Sequence, residues 1–206
     1  GSRTKLTLPD GTLVWLNAGS RITYSQGFGV GNRKIELIGE GYFEVKRNEE
    51  VPFLVKTNSL LVKVLGTKFN FRDYPDDAEA IVSLSEGKVA LNNLLKKEKE
   101  AFLLPNERVV LNKKNGRMHV EYSTVSNALQ WTNGYLFFDE ELLPDVVKEL
   151  ERSYNVKIQI ASDTLNTFRF YGNFVHREQN IQEVLEALSA TRKIHYIIEG
   201  HNITLY

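Results

Sequence analysis

Through the first 124 residues the apolar positions alternate with polar ones or cluster in short runs, with no helical period of 3.6. Lys68-Phe69-Asn70-Phe71-Arg72 alternates strictly, which predicts a strand with one face on a core. Thr12-Leu13-Val14-Trp15-Leu16 is apolar on both faces and predicts a strand buried on both sides. Further short strands are expected at 35–38, 42–45, 53–55, 61–64, 80–84, 89–91 and 108–111. Asp10-Gly11, Glu86-Gly87 and Asn115-Gly116 separate these runs with residues that tolerate positive φ. The expectation is an all-β domain over 1–124, sandwich- or solenoid-like, built from short antiparallel strands.

The pattern changes after residue 124. Leu142, Leu143, Val146, Val147 and Leu150 fall on one helical stripe, predicting a helix that opens at Asp139 with Asp139, Glu140 and Glu141 in its first turn. Pro144 falls early in it, where a missing N–H costs least. Val156–Ile160 and Phe168–Tyr171 read as strands, and Ile181, Val184, Leu185 and Leu188 mark a second helix. Ile194–Ile198 and Asn202–Tyr206 read as a hairpin around Glu199-Gly200-His201. This order predicts a small α+β domain of two βαβ-like halves over 135–206, joined to the first by a connecting segment over 125–134. A short helix is expected there from Ser126 to Trp131. The fold class is therefore mixed.

With 206 residues the chain can bury a sizeable core, and 42% hydrophobic against 25% charged residues is a globular balance. Its 26 basic and 26 acidic residues cancel, which argues against a nucleic-acid binder held by phosphate neutralisation. The balance hides an asymmetry: residues 1–124 carry a net +4 and residues 125–206 a net −4. Such charges would steer the acidic half toward a basic partner, or the halves toward each other. No run approaches the roughly 18 apolar residues of a membrane span, and no signal peptide is expected at Gly1-Ser2-Arg3. Without Cys there is no thiol nucleophile, disulfide or thiolate metal site.

Candidate chemistry is sparse. His119, His176, His195 and His201 have no metal-ligand spacing to one another and read as surface or loop residues. Gly27-Phe28-Gly29-Val30-Gly31 has the wrong spacing for a phosphate loop, and no helix follows it, so it reads as a flexible loop. Asp73, Asp76 and Asp77 lack the supporting ligands of a calcium loop and read as an acidic solvated turn. Trp15 and Trp131 could stack on sugar, yet both sit in apolar settings that read as core. No catalytic residue, metal or cofactor is expected, and the chain does not read as an enzyme.

A series of blocks along the chain carries a resemblance. Leu8 to Ser20 (Leu-Pro-Asp-Gly-Thr-Leu-Val-Trp-Leu-Asn-Ala-Gly-Ser) resembles the opening motif of the periplasmic domain of FecR-like anti-sigma factors. Gly39-Glu40-Gly41-Tyr42-Phe43-Glu44-Val45, Pro52 to Thr57, Val64-Leu65-Gly66-Thr67-Lys68-Phe69-Asn70 and Leu84-Ser85-Glu86-Gly87-Lys88-Val89 resemble the following blocks, in order. Asn106 stands where the family usually has Gly, and Asn tolerates the left-handed conformation. Trp131 to Phe138 and Glu149 to Val156 resemble the accompanying C-terminal domain. Phe170-Tyr171-Gly172-Asn173-Phe174 with Val184, Leu185 and Leu188 is similar to the STN signalling fold of secretins and TonB-dependent transducers. Asp10, Gly11, Gly39, Gly66, Thr67, Glu86, Gly87, Trp131 and Gly134 are the motif positions, and they read as turns and packing residues rather than as a site.

The resemblance implies the periplasmic part of a single-pass inner-membrane anti-sigma factor of a Gram-negative bacterium. Its expected partners are the N-terminal signalling domain of a nutrient-loaded TonB-dependent outer-membrane receptor and, through a cytoplasmic segment, an extracytoplasmic-function sigma factor. Strand addition to the STN-like half is the expected mode of contact, with Asn202, Thr204 and Tyr206 on the last strand and Arg169 and Tyr171 on the 168–174 strand as candidate edge residues. Phe168, Phe170 and Phe174 share one face of the latter and are expected to face the core. The alternative reading is a carbohydrate-binding β module fused to a small α+β domain, which would need an exposed Trp15 or Trp131.

Overall fold

The computed structural model describes residues 2–124, 129–176 and 178–206, which fall into two compact units, Ser2–Thr132 and Asn133–Tyr206. The segment expected to be helical at 126–128 lies outside the described residues; Gln130–Asn133 form one 3₁₀ turn.

The N-terminal unit is built from twelve strands joined into one hydrogen-bonded system. These are β1 (Thr4–Thr7), β2 (Leu13–Leu16), β3 (Arg21–Tyr24), β4 (Arg33–Glu44), β5 (Phe53–Lys56) and β6 (Leu60–Val64), then β7 (Lys68–Asp73), β8 (Glu79–Glu86), β9 (Val89–Asn93), β10 (Ala101–Leu103), β11 (Glu107–Asn112) and β12 (Met118–Tyr122). The two short runs expected at 35–38 and 42–45 are one twelve-residue strand, β4. Its first half pairs with β3 and β5, and its second half, from Gly39 on, pairs with β2 and β7. Gly39 sits at the changeover with φ 98°, and a Cβ there would lie 2.9 Å from Ser20 Cα, so only glycine fits. From β4 one path runs through β5, β6, β9 and β10, the other through β7, β8, β11 and β12. All pairings are antiparallel except β4 with β5, which is parallel and departs from the purely antiparallel expectation.

Phe43, Phe53, Phe69, Phe71, Val82, Leu84 and Leu91 are among the buried core residues between these strands. Phe43 stacks on Phe69 with centroids 5.0 Å apart. The strand β2 has one fully buried residue, Val14, while Leu13, Trp15 and Leu16 are half-buried; it is not buried on both faces as its composition suggested. The glycine-rich segment 27–31 is pinned by Phe28, which is buried in the core. Asp73 and Asp77, expected in a solvated turn, are buried counter-ions: Asp73 Oδ1 lies 2.7 Å from Lys113 Nζ, and Asp77 Oδ2 accepts from Arg72 Nε at 2.8 Å.

The C-terminal unit runs β13 (Tyr135–Leu142), α1 (Leu143–Tyr154), β14 (Lys157–Ile160), β15 (Arg169–Val175), α2 (Ile181–Ser189), β16 (Tyr196–Glu199) and β17 (Asn202–Leu205). The order of strands and helices is the expected one, but α1 opens at Leu143 rather than Asp139. Pro144 explains the shift: it lacks the N–H an interior helical position needs, so the helix begins just before it. Asp139, Glu140 and Glu141 instead extend β13, with a bulge between Phe138 and Glu141 where Glu140 takes φ 55°. The helix α2 opens with a capping box, Asn180 Oδ1 accepting from Glu183 N while Glu183 Oε2 accepts from Asn180 N.

Two of the three pairings cross between the two halves. β13 pairs antiparallel with β15, and β14 pairs parallel with β17, which also pairs antiparallel with β16. Leu143, Val146, Leu150, Val184, Leu185 and Leu188 from the helices meet Phe138, Phe170, Phe174, Ile203 and Leu205 in one core. Phe170 and Phe174 are buried as expected and lie parallel, 6.2 Å apart. Gly172 between them leaves room for both rings, since a Cβ there would fall 2.5 Å from Phe170 Cε1.

Candidate functional site

The motif residues of the N-terminal unit are absorbed by structure. The turn Asp10-Gly11-Thr12 closes on itself, Asp10 Oδ1 accepting from Thr12 N and Oδ2 from Thr12 Oγ1, both at 2.9 Å. Asp10 Oδ2 also accepts from the buried Arg33 Nη1 at 3.2 Å. The Arg33 guanidinium then donates to three carbonyls, Val51, Lys46 and Asn48, so one side chain fastens two loops. Gly66 and Gly87 mark a close backbone approach. A Cβ on Gly66 would lie 2.7 Å from Arg47 Cα, and one on Gly87 2.9 Å from Gly66 O. Thr67 Oγ1 donates to Lys88 O at 3.2 Å, joining the same two turns. Glu86 makes an exposed ion pair with Lys68 at 2.8 Å, and this raises the Lys68 ammonium above its ordinary value.

A second polar cluster centres on Glu40, which accepts from Asn17 Nδ2 and from Asn70 Nδ2, both at 2.8 Å. Asn70 Oδ1 in turn accepts from Trp131 Nε1 at 2.9 Å, which keeps the indole, 7% exposed, inside the unit. Trp15 is half-buried against Tyr42 with Lys5 Nζ 4.5 Å from its ring. Neither tryptophan offers the bare face a sugar would need. Burial first, and the neighbouring Glu44 second, push the Tyr42 phenol far up, so it stays a neutral donor to Glu44. Among the described residues no group of three or more His, Asp or Glu is disposed to hold a metal ion, and every buried side-chain polar atom has a partner.

The C-terminal unit bears the candidate contact residues. Asn202 and Thr204 lie on β17, the central strand of its three-stranded sheet, bonded on one side to β14 and on the other to β16. Its backbone has no open edge, so the expectation of an edge strand at 202–206 is corrected. The parallel return of β17 onto β14 fills the place that a hairpin alone leaves free. Tyr206 exchanges both backbone bonds with His195 and exposes its ring. Arg169 and Tyr171 lie on β15, whose partner among the described residues is β13 alone. Tyr171 is 62% exposed and meets Phe137 edge-on at 5.6 Å, while Arg169 Nη1 donates to Glu140 O at 2.7 Å. Gly134, with φ 91°, accepts from His176 N at the open end of this pair.

The true edges of the three-stranded sheet are β14 and β16, and sequence reasoning missed both as contact elements. One outward amide of β14 is already occupied, Ile158 N donating to Glu151 Oε1 at 2.9 Å. Burial works to raise the Glu151 carboxyl, but that bond with Lys148 and Lys157 outweighs it and holds the group below the ordinary range. The strand β16 exposes Ile197 and Ile198. A signal was present in the sequence: Tyr196-Ile197-Ile198 is apolar without alternation, which a one-sided strand does not require.

Comparison with known proteins identifies the class. The profile of the FecR protein family matches residues 1–90, and that of the FecR C-terminal region matches residues 135–205. Two crystal structures of a candidate anti-sigma factor from Parabacteroides distasonis, at 1.65 and 2.50 Å, are 34% identical to the chain with TM-scores of 0.92. Each covers all of this chain, which spans 95% and 94% of theirs. No curated protein matches the chain. The chain therefore belongs to the FecR family of anti-sigma factors.

Proposed function

We propose that this chain is the periplasmic signalling part of a transmembrane anti-sigma factor. It contacts the N-terminal signalling domain of a nutrient-loaded TonB-dependent outer-membrane receptor and thereby controls an extracytoplasmic-function sigma factor. The observation that carries this reading is the full-length likeness to an anti-sigma factor at 34% identity. The polar clusters support it physically: Arg33, Glu40, Asp73 and Asp77 are consumed by internal partners, which leaves surface recognition as the work of the fold. The C-terminal unit, which we read as STN-like, makes the receptor contact.

The test is a transcriptional reporter for the cognate sigma factor in cells producing the natural protein with residues 133–206 removed. The expected outcome is a reporter that no longer responds to the receptor's nutrient. An unchanged nutrient response would overturn the reading.

A further inference from the structure

The strand edges of the C-terminal unit are not equivalent. On β14 the Ile158 amide is capped by the Glu151 carboxylate. The β13–β15 pair carries a bulge between Phe138 and Glu141 and charged side chains at Glu140 and Arg169, and Gln179 Oε1 accepts from Val175 N at 2.8 Å. Bulges, charges and capped amides are the ordinary means by which sheets keep foreign strands away.

The strand β16 carries no bulge and no capped amide, and its one charged residue, Glu199, stands at its end. Its register with β17 is regular over all four positions. His195 and Tyr206 exchange two backbone bonds, at 2.9 and 3.0 Å. Bonded and non-bonded pairs alternate along antiparallel strands, so Ile197 with Thr204 and Glu199 with Asn202 are also bonded pairs. Tyr196 and Ile198 therefore direct their N–H and C=O groups away from β17. Ile198 belongs to the core-facing row with Ile203 and Ile158 but is 41% exposed, because the row ends there. Arg192, Lys193 and His195 are exposed before and at the start of the strand and Glu199 at its end. Lys193 Nζ rests 5.5 Å over the Phe168 ring, and none of the other three has an ion pair among the described residues.

We infer that β16 is the strand-acceptor edge of this unit. An extended segment of the partner pairs with the outward backbone groups of Tyr196 and Ile198, lays an apolar side chain over Ile198, and carries an acidic residue beside Arg192, Lys193 and His195. The inference rests on the proposed contact with a receptor signalling domain and names the surface that makes it.

Hydrogen exchange of the full chain, alone and with the signalling domain of the TonB-dependent receptor encoded beside its gene, tests it. The amides of Tyr196 and Ile198 should exchange fast in the free chain and slow at least tenfold in the complex, while those of Ile197 and Glu199 are protected in both. Ile198→Pro removes an amide that bonds to nothing in the hairpin, and should weaken binding at least about tenfold, against a smaller loss for Ile198→Ala. Binding that leaves the Tyr196 and Ile198 amides unprotected, or that protects Tyr171 and Asn173 instead, overturns the inference and leaves the receptor contact standing. Absence of any binding by the unaltered chain overturns both.

Discussion

Trp131 donates its indole N–H to Asn70 Oδ1 at 2.9 Å, and Asn70 donates its amide to Glu40 Oε1 at 2.8 Å. Three residues spread over 91 positions of chain thus share one buried line of hydrogen bonds, and the end of the N-terminal unit is fastened to the middle of β4 and β7. Buried polar groups cost most when one partner is removed and the other stays. Trp131→Phe should therefore lower the unfolding free energy of the N-terminal unit by about 1–3 kcal/mol, more than Trp15→Phe, in paired denaturant titrations. An equal effect of the two substitutions would show that the indole bond contributes nothing.

Arg33 offers a sharper case. Its guanidinium serves Asp10 and three carbonyls at once, and a lysine presents one ammonium where the arginine presents a planar fork. Arg33→Lys should destabilise the unit despite conserved charge, and Arg33→Ala should cost about 3–5 kcal/mol by leaving the Asp10 carboxylate buried without its cation. Thermal unfolding of both variants beside the unaltered chain reads this directly.

At Gly66 the constraint is contact rather than charge, since a Cβ would lie 2.7 Å from both Cα and Cβ of Arg47. Gly66→Ala should lower stability by about 1–3 kcal/mol through forced backbone movement. Gly27→Ala, whose nearest neighbour would be 3.9 Å away at the end of the Asn32 side chain, should be close to neutral. Comparable losses at the two sites would remove the close-approach explanation for the Gly66-Thr67 motif.

The Glu151 carboxyl links helix α1 to β14, and its folded value lies below the ordinary 4.5. A depressed carboxyl stabilises the fold fully above its unfolded value and loses that contribution as pH falls through the folded one. The C-terminal unit should accordingly lose stability as pH drops below about 4.5. Glu151→Gln should flatten that part of the profile and cost about 1 kcal/mol at pH 7, measured by denaturant titration across pH.

The division between legible and hidden features follows their range along the chain. Alternation at Lys68 to Arg72 and the helical stripe from Leu142 to Leu150 are local patterns. The strand stands where it was expected, and the helix forms on its stripe but opens at Leu143 rather than Asp139. Gly39-Glu40-Gly41 fell between two expected strands and is the changeover of one long strand, because the need for glycine came from Ser20, distant in sequence. Asp73 and Asp77 looked solvated since their cations, Lys113 and Arg72, are assigned only by the fold. The same holds for the contact surface. That β17 is central and β16 lateral depends on a parallel pairing between residues 157–160 and 202–205, which no local pattern encodes. The family blocks, by contrast, were readable as blocks because each is a contiguous turn or strand with its own glycine or aromatic requirement.

Titration calorimetry of this chain with the isolated N-terminal signalling domain of the neighbouring TonB-dependent receptor, at low and high salt, tests the central claim most directly. The account predicts saturable binding with a dissociation constant of about 10 μM or tighter at low salt, weakened at high salt because exposed charges flank the contact edge. No heat of binding at either salt concentration, with both proteins folded, would contradict it.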